Sequence, residues 1–260
     1  MPQLARSGAV LNYETWGDGG PWVTLVNGHV RPLTDFRMLG RHLTSLGFRV
    51  LALDNRGSGL TTTTTAFTLA DMAADVSALW DHLGIATSAL LGISMGGFIA
   101  QIIAGDEVTA TRVSQLFLVS TAMRQALIRP DRRPWTTDPA EVELKLRTYF
   151  TAQFFERNGP LVRGMAKQVA KAVAEGPFVE QSKRQIAAIR GIDLTATASH
   201  IKAPTYVLHG AEDEVIALSA GEELQAHISG SSLQVFAGAG HLLLAEAPQA
   251  LYNAVAKALA

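Results

Sequence analysis

The chain has 260 residues, 48% hydrophobic and 17% charged, so it can bury a full-sized core and is not a disordered polymer. Its 22 basic and 23 acidic residues leave a formal net charge of -1 with no run of one sign, which excludes the electrostatic footprint of a nucleic-acid or anionic-membrane binder. There is no cysteine, which removes disulfides, thiolate nucleophiles and thiolate-held metals.

Met1-Pro2-Gln3-Leu4-Ala5-Arg6-Ser7 opens the chain without a basic segment and apolar core, so it does not read as a signal peptide. No apolar run reaches the ~18 residues of a bilayer span, and the expectation is a soluble, cytoplasmic protein. Residues 10–16 read as a strand closed by Gly17-Asp18-Gly19-Gly20-Pro21. The apolar run 22–26 ends at Asn27-Gly28, as a strand buried on both faces does. A helix over 35–46 stops at Gly47, and a strand over 48–53 breaks at Asp54-Asn55-Arg56-Gly57-Ser58-Gly59. The five threonines of 61–65 read as a polar surface loop. Thr68, with Asp71 three residues on, marks the cap of a helix ending at Gly84. A strand over 89–93, a helix over 95–105 and a strand over 115–119 follow.

After Ser120 this alternation stops. Residues 121–200 show no clear strand and read as amphipathic helices, one over 141–155 with Val142, Leu146, Phe150 and Phe154 at helical spacing. The pattern resumes with a strand at 205–208, a helix at 218–228, a strand at 233–236 and a helix at 248–259. Alternating strands and helices predict an α/β chain with a mostly parallel sheet. The predicted organisation is a sheet domain of residues 1–120 and 201–260, interrupted by a helical insertion of residues 121–200.

Gly92-Ile93-Ser94-Met95-Gly96 matches G-x-S-x-G between a predicted strand and a predicted helix. A nucleophile must protrude from the strand end, and the sharp turn that presents it needs small residues on either side. A glycine-flanked serine also makes an ordinary strand-to-helix turn, so the reading needs partners. A serine hydroxyl needs a base to take its proton. Of seven histidines, His241 lies just after the last strand, where a side chain can reach back over the sheet edge. His42, His82 and His227 fall in helix patterns, and His200 and His209 read as structural. A carboxylate must orient the base. Gly210-Ala211-Glu212-Asp213-Glu214 offers three, of which Asp213 is the choice and the glutamates read as solvated loop charges. The order Ser94, Asp213, His241 is the serine–acid–histidine order of one fold class. The developing oxyanion needs donors, and the N–H groups of Met95 and His29 are the candidates.

Together these segments resemble the α/β-hydrolase superfamily over nearly the whole chain. The matches are Leu25-Val26-Asn27-Gly28, Asp54-Asn55-Arg56-Gly57-Ser58-Gly59, Gly92-Ile93-Ser94-Met95-Gly96-Gly97, Val207-Leu208-His209-Gly210-Ala211-Glu212-Asp213 and the stretch opening Gly240-His241. Relatives usually carry His-Gly where this chain has Asn27-Gly28, which is similar to the enol-lactonase and acyl-homoserine-lactonase branches. The resemblance implies an α/β-hydrolase fold, a helical cap inserted after the sixth strand, and no metal or organic cofactor. It also implies a serine esterase or lactonase working on a small-molecule substrate, as a monomer or homodimer. Carbon–carbon bond hydrolysis and cofactor-free haloperoxidase chemistry on the same triad are the alternatives, and a non-catalytic receptor is a third. Ser94 counts against dehalogenation, where an aspartate normally stands. The cap aromatics, Trp135, Phe150 and Phe154 among them, are expected to line a mostly apolar pocket for a small to medium substrate.

Overall fold

The computed structural model describes residues 2–129 and 133–260. Met1 and residues 130–132, the latter within the predicted insertion, lie outside the described residues. Strands β1 (Gln3–Arg6) and β2 (Ala9–Trp16) form an antiparallel pair. Next come β3 (Trp22–Val26), α1 (Arg37–Ser45), β4 (Arg49–Leu53) and the two-residue β5 (Thr62–Thr63). Helix α2 (Leu69–His82), β6 (Ser88–Ile93), α3 (Met95–Gly105) and β7 (Val113–Val119) follow. Four helices then run in succession: α4 (Pro139–Leu146), α5 (Ala152–Glu175), α6 (Phe178–Ile189) and α7 (Thr195–His200). The chain ends with β8 (Thr205–Gly210), α8 (Leu218–His227), β9 (Ser232–Phe236), α9 (Leu243–Glu246) and α10 (Pro248–Leu259).

The sheet runs in the order β1-β2-β4-β3-β6-β7-β8-β9, with β5 paired to β2. From β4 to β9 every pairing is parallel, and the antiparallel pairings are confined to the β1–β2 end. Strand β6 is buried along its whole length and β3 at all but Trp22, which is why both lack polar alternation. One face of the sheet packs against α2, α3, α7 and α8, through Trp80, Phe98 and Leu224 among others. The other packs against α1 and α10, through Leu39, Leu43 and Leu251. Trp80 is fully buried and its indole N–H donates to Thr24 Oγ1 at 2.8 Å, so the largest core side chain leaves no polar atom stranded. At the start of α2, Thr68 Oγ1 accepts the Asp71 N–H and Asp71 accepts the Thr68 N–H, the expected capping box.

Three expectations change. The run of helices follows the seventh strand in chain order, not the sixth: β1 and β5, short strands that the sequence does not signal, bring the five strands read before residue 120 to seven. Part of the polar threonine loop is therefore paired. The helix read over 141–155 is two helices, since Phe150 is extended at φ -124° and ψ 152° and Thr151 caps α5. No described helix is long and apolar enough to cross a membrane.

Candidate active site

Parallel strands deliver their C-terminal ends to one edge of the sheet, where ligands of open α/β sheets bind. Strand β6 ends at Ile93, and Ser94 turns the chain into α3 with φ 53° and ψ -117°. A non-glycine residue held there costs on the order of 1–3 kcal/mol. Its surroundings fix it: the Ser94 N–H donates to Val119 O at 2.9 Å and the Thr121 hydroxyl donates to Ser94 O at 2.7 Å. A Cβ at Gly92 would lie 2.3 Å from Gly96 O, so the approach of strand and helix that makes this turn requires glycine.

Two further loops converge on Ser94. His241, between β9 and α9, is buried with its Nε2 at 3.1 Å from Ser94 Oγ. Its Nδ1 lies 2.7 Å from Asp213 Oδ2, in the loop after β8. The other Asp213 oxygen accepts the N–H groups of Val215 and Ile216, each at 2.8 Å. Burial alone would push the Asp213 carboxyl up, but His241, the His209 ring and the Ile216 N–H outweigh it and hold the group well below the usual carboxylate range. Asp213 is thus ionised and acceptor-only, so His241 carries its proton on Nδ1 and turns the Nε2 lone pair to the Ser94 hydroxyl. Glu212 is exposed and Glu214 faces Arg129 at 3.8 Å, which leaves Asp213 as the carboxylate His241 meets. His209 is also tied to this loop, with Nε2 at 2.8 Å from Ile216 O and 3.5 Å from Asp213 Oδ2.

Met95 occupies the first position of α3, where a helix N–H has no partner one turn back and the helix dipole favours negative charge. Facing it is the loop after β3. A Cβ at Gly28 would come within 3.2 Å of Ser94 Cβ, so glycine lets the loop approach the serine. Asn27 holds the loop in shape: its amide donates to Pro32 O and Asp35, and its side-chain oxygen accepts the Gly28 N–H. The His29 ring reaches helix α6, with Nε2 at 3.2 Å from Ser182 O. Burial pushes this imidazole down to about 4, so it is neutral at neutral pH.

A cavity of about 760 Å³ opens on Ser94 and His241, its wall mainly apolar through Phe98, Ile128, Ile189 and Ile216, with Arg129, Arg133, Lys145 and Glu214 also along it. A second space, about 70 Å³, lies on the Gly28 side of the same two residues and includes Phe178 and Leu242. Trp135 lines both spaces. Phe150 and Phe154, expected beside it, are in neither. Their rings stack at 5.0 Å within the apolar cluster of α4 and α5, with Val142 and Val162, so they pack the helices together instead of lining a cavity. Tyr149, one residue away, meets the site, its ring edge-on to His241 at 5.8 Å. Sequence reading passed over Val215 and Ile216, although an apolar pair inside a charged loop is a usable sign of a pocket wall.

The helical roof is tied to the sheet by Gln185 of α6, which is fully buried. Its oxygen accepts the Val30 N–H at 2.6 Å, and its amide donates to Arg56 O at 2.8 Å and Ser58 Oγ at 2.9 Å. The segment from Asp54 to Gly59 is thereby explained as scaffold. Asp54 accepts from Asn12, Leu33 and Leu60, and Arg56 grips Asp75 through two hydrogen bonds of 2.7 and 2.9 Å.

Known proteins share this architecture. A 3-oxoadipate enol-lactonase of Acinetobacter baylyi is 28% identical over 97% of this chain and 94% of its own length. A non-heme chloroperoxidase of Kitasatospora aureofaciens is 27% identical over 91% of this chain and 90% of its own. The crystal structure of the enol-lactonase from Burkholderia xenovorans LB400 superposes with a TM-score of 0.84 at 28% identity, covering 99% of both chains. The family model for the alpha/beta hydrolase fold matches residues 21–248, and the chain belongs to that family.

Proposed function

We propose that this α/β hydrolase is a serine hydrolase that cleaves a carboxylic ester or lactone through an acyl-enzyme. The observation that carries the reading is the hydrogen-bonded line from Asp213 through His241 to Ser94, with 2.7 Å and 3.1 Å links. In this reading the substrate carbonyl oxygen sits at the N–H groups of Met95 and His29 while Ser94 attacks. His241 takes the serine proton and passes it to the leaving alcohol. Water, activated by His241, then releases the acyl group. The mainly apolar cavity supports a small to medium, mostly apolar substrate under a cap formed by residues 121–200. The similarity to enol-lactonases supports a lactone among the candidates.

The test is a panel of small esters and lactones on the purified protein. Ser94→Ala should lower kcat/KM by roughly four orders of magnitude or more, and a fluorophosphonate should add its mass at Ser94. Undiminished turnover in Ser94→Ala, or labelling elsewhere, overturns the reading. The chloroperoxidase relative favours a second reading, halogenation with peroxide at the same residues. Bromination that outpaces ester turnover would select it.

A further inference from the structure

The two spaces that meet at Ser94 differ about tenfold in volume, 760 against 70 Å³. Taking ~10–15 Å³ for each water-sized atom, the smaller holds about five to seven such atoms. The larger falls within the roughly 300–1,000 Å³ of sites for whole small molecules. A carbonyl attacked by Ser94 has two substituents, and Ser94 and His241 border both spaces.

The small side has few ways to widen. Phe178 on its wall packs edge-on against Trp135 at 5.4 Å and 88°. The Lys145 ammonium lies 4.6 Å from the other partner's ring, that of Trp135. Leu242 is held through its backbone N–H to Tyr149 O at 3.3 Å. The Gly28 backbone already stands against Ser94.

We infer that the substrate is asymmetric about its scissile carbonyl. One flank has no more than about seven non-hydrogen atoms, and the other is a bulky, mostly apolar group housed between Ile128, Ile189 and Ile216. This rests on the serine-hydrolase reading for which bond is cut, while the size rule itself rests on the two spaces.

Three esters test it: methyl decanoate, decyl acetate and decyl decanoate, whose long flanks carry about nine and eleven non-hydrogen atoms, beyond what the smaller space holds. A fitting methylene is worth about fourfold in kcat/KM, and one with no room loses that gain and meets a wall. The better of the two asymmetric esters should therefore exceed decyl decanoate by about tenfold or more. Phe178→Ala should narrow that ratio severalfold, and Phe178→Leu, the milder cut, should narrow it less. Equal turnover of decyl decanoate, or an unchanged ratio in a folded Phe178 variant, overturns the inference. Calorimetric binding of the same esters to Ser94→Ala separates this failure from that of the hydrolase reading. Tighter binding of an asymmetric ester without wild-type turnover would keep the size rule and discard the ester chemistry. Equal affinities would discard the size rule.

Discussion

Glu246 and Thr151 are joined twice, because one carboxylate oxygen of Glu246 accepts the Thr151 backbone N–H at 3.0 Å and its hydroxyl at 2.8 Å. The other oxygen accepts the Gly240 N–H at 3.0 Å, one residue before His241. A single carboxylate therefore bridges the start of α5 and the loop that carries the candidate base. Burial pushes this carboxyl up, and the bonds from Thr151 and Gly240 act in the opposite direction.

Glu246→Gln keeps the shape but turns one of the two acceptor oxygens into a donor. Whichever way the amide turns, its NH2 faces a backbone N–H, that of Thr151 or that of Gly240, and neither can become an acceptor. The expected cost is about 1–3 kcal/mol, a fall of several degrees in Tm. The His241 loop should also lose its alignment, so kcat should drop more than KM rises. Thermal melts and steady-state kinetics on the variant check both, and an unchanged Tm with unchanged kcat would remove the bridge from the account.

Asp213→Asn replaces an acceptor-only carboxylate with an amide that can donate to Nδ1. The imidazole then favours the tautomer whose Nε2 bears hydrogen, and Ser94 loses its base. Turnover should fall by on the order of 10³–10⁴. Glu212→Gln, at an exposed position of the same loop, should stay within about threefold of the parent. A crippled Glu212→Gln beside an active Asp213→Asn would reassign the carboxylate.

His29 supplies a pH test of the fold. Its folded value of about 4 lies below the ~6.5 of an unfolded imidazole, so between these values the unfolded chain binds more protons. Its contribution to stability is complete above about 6.5 and is lost as pH falls through that window. Urea midpoints should decline from pH 7 to pH 5, and His29→Gln should flatten that decline. Parallel slopes for the parent and the variant would show that the ring carries no such penalty.

The site was legible where backbone geometry forces residue identity. A Cβ at Gly92 would lie 2.3 Å from Gly96 O and one at Gly96 2.2 Å from Val26 O, and this need for glycine at both positions is what made Ser94 readable between a strand and a helix. Asp213 and His241 were readable because loops after β8 and β9 must leave the same sheet edge. What escaped depended on distant partners. The break at Thr151 answers to Glu246, 95 residues later, and no local pattern encodes that pairing. Phe150 and Phe154 show the limit of periodicity, which marks a buried face but not whether a cavity or a neighbouring helix covers it. The edge strands β1 and β5 escaped because they are mostly exposed and pair through backbone alone.

The ties at Gln185 and Glu246 also bear on how the roof moves. The amide protons of Val30 and Thr151 are each held by a side-chain oxygen from the facing part of the chain, Gln185 in one case and Glu246 in the other. Lifting the roof as one rigid lid would expose both amides together, so their hydrogen exchange would track every opening. If substrate enters instead by local rearrangement between the two ties, both amides exchange only when the whole domain unfolds. The exchange rates of these two protons thus distinguish a hinged lid from a fixed roof with a side door.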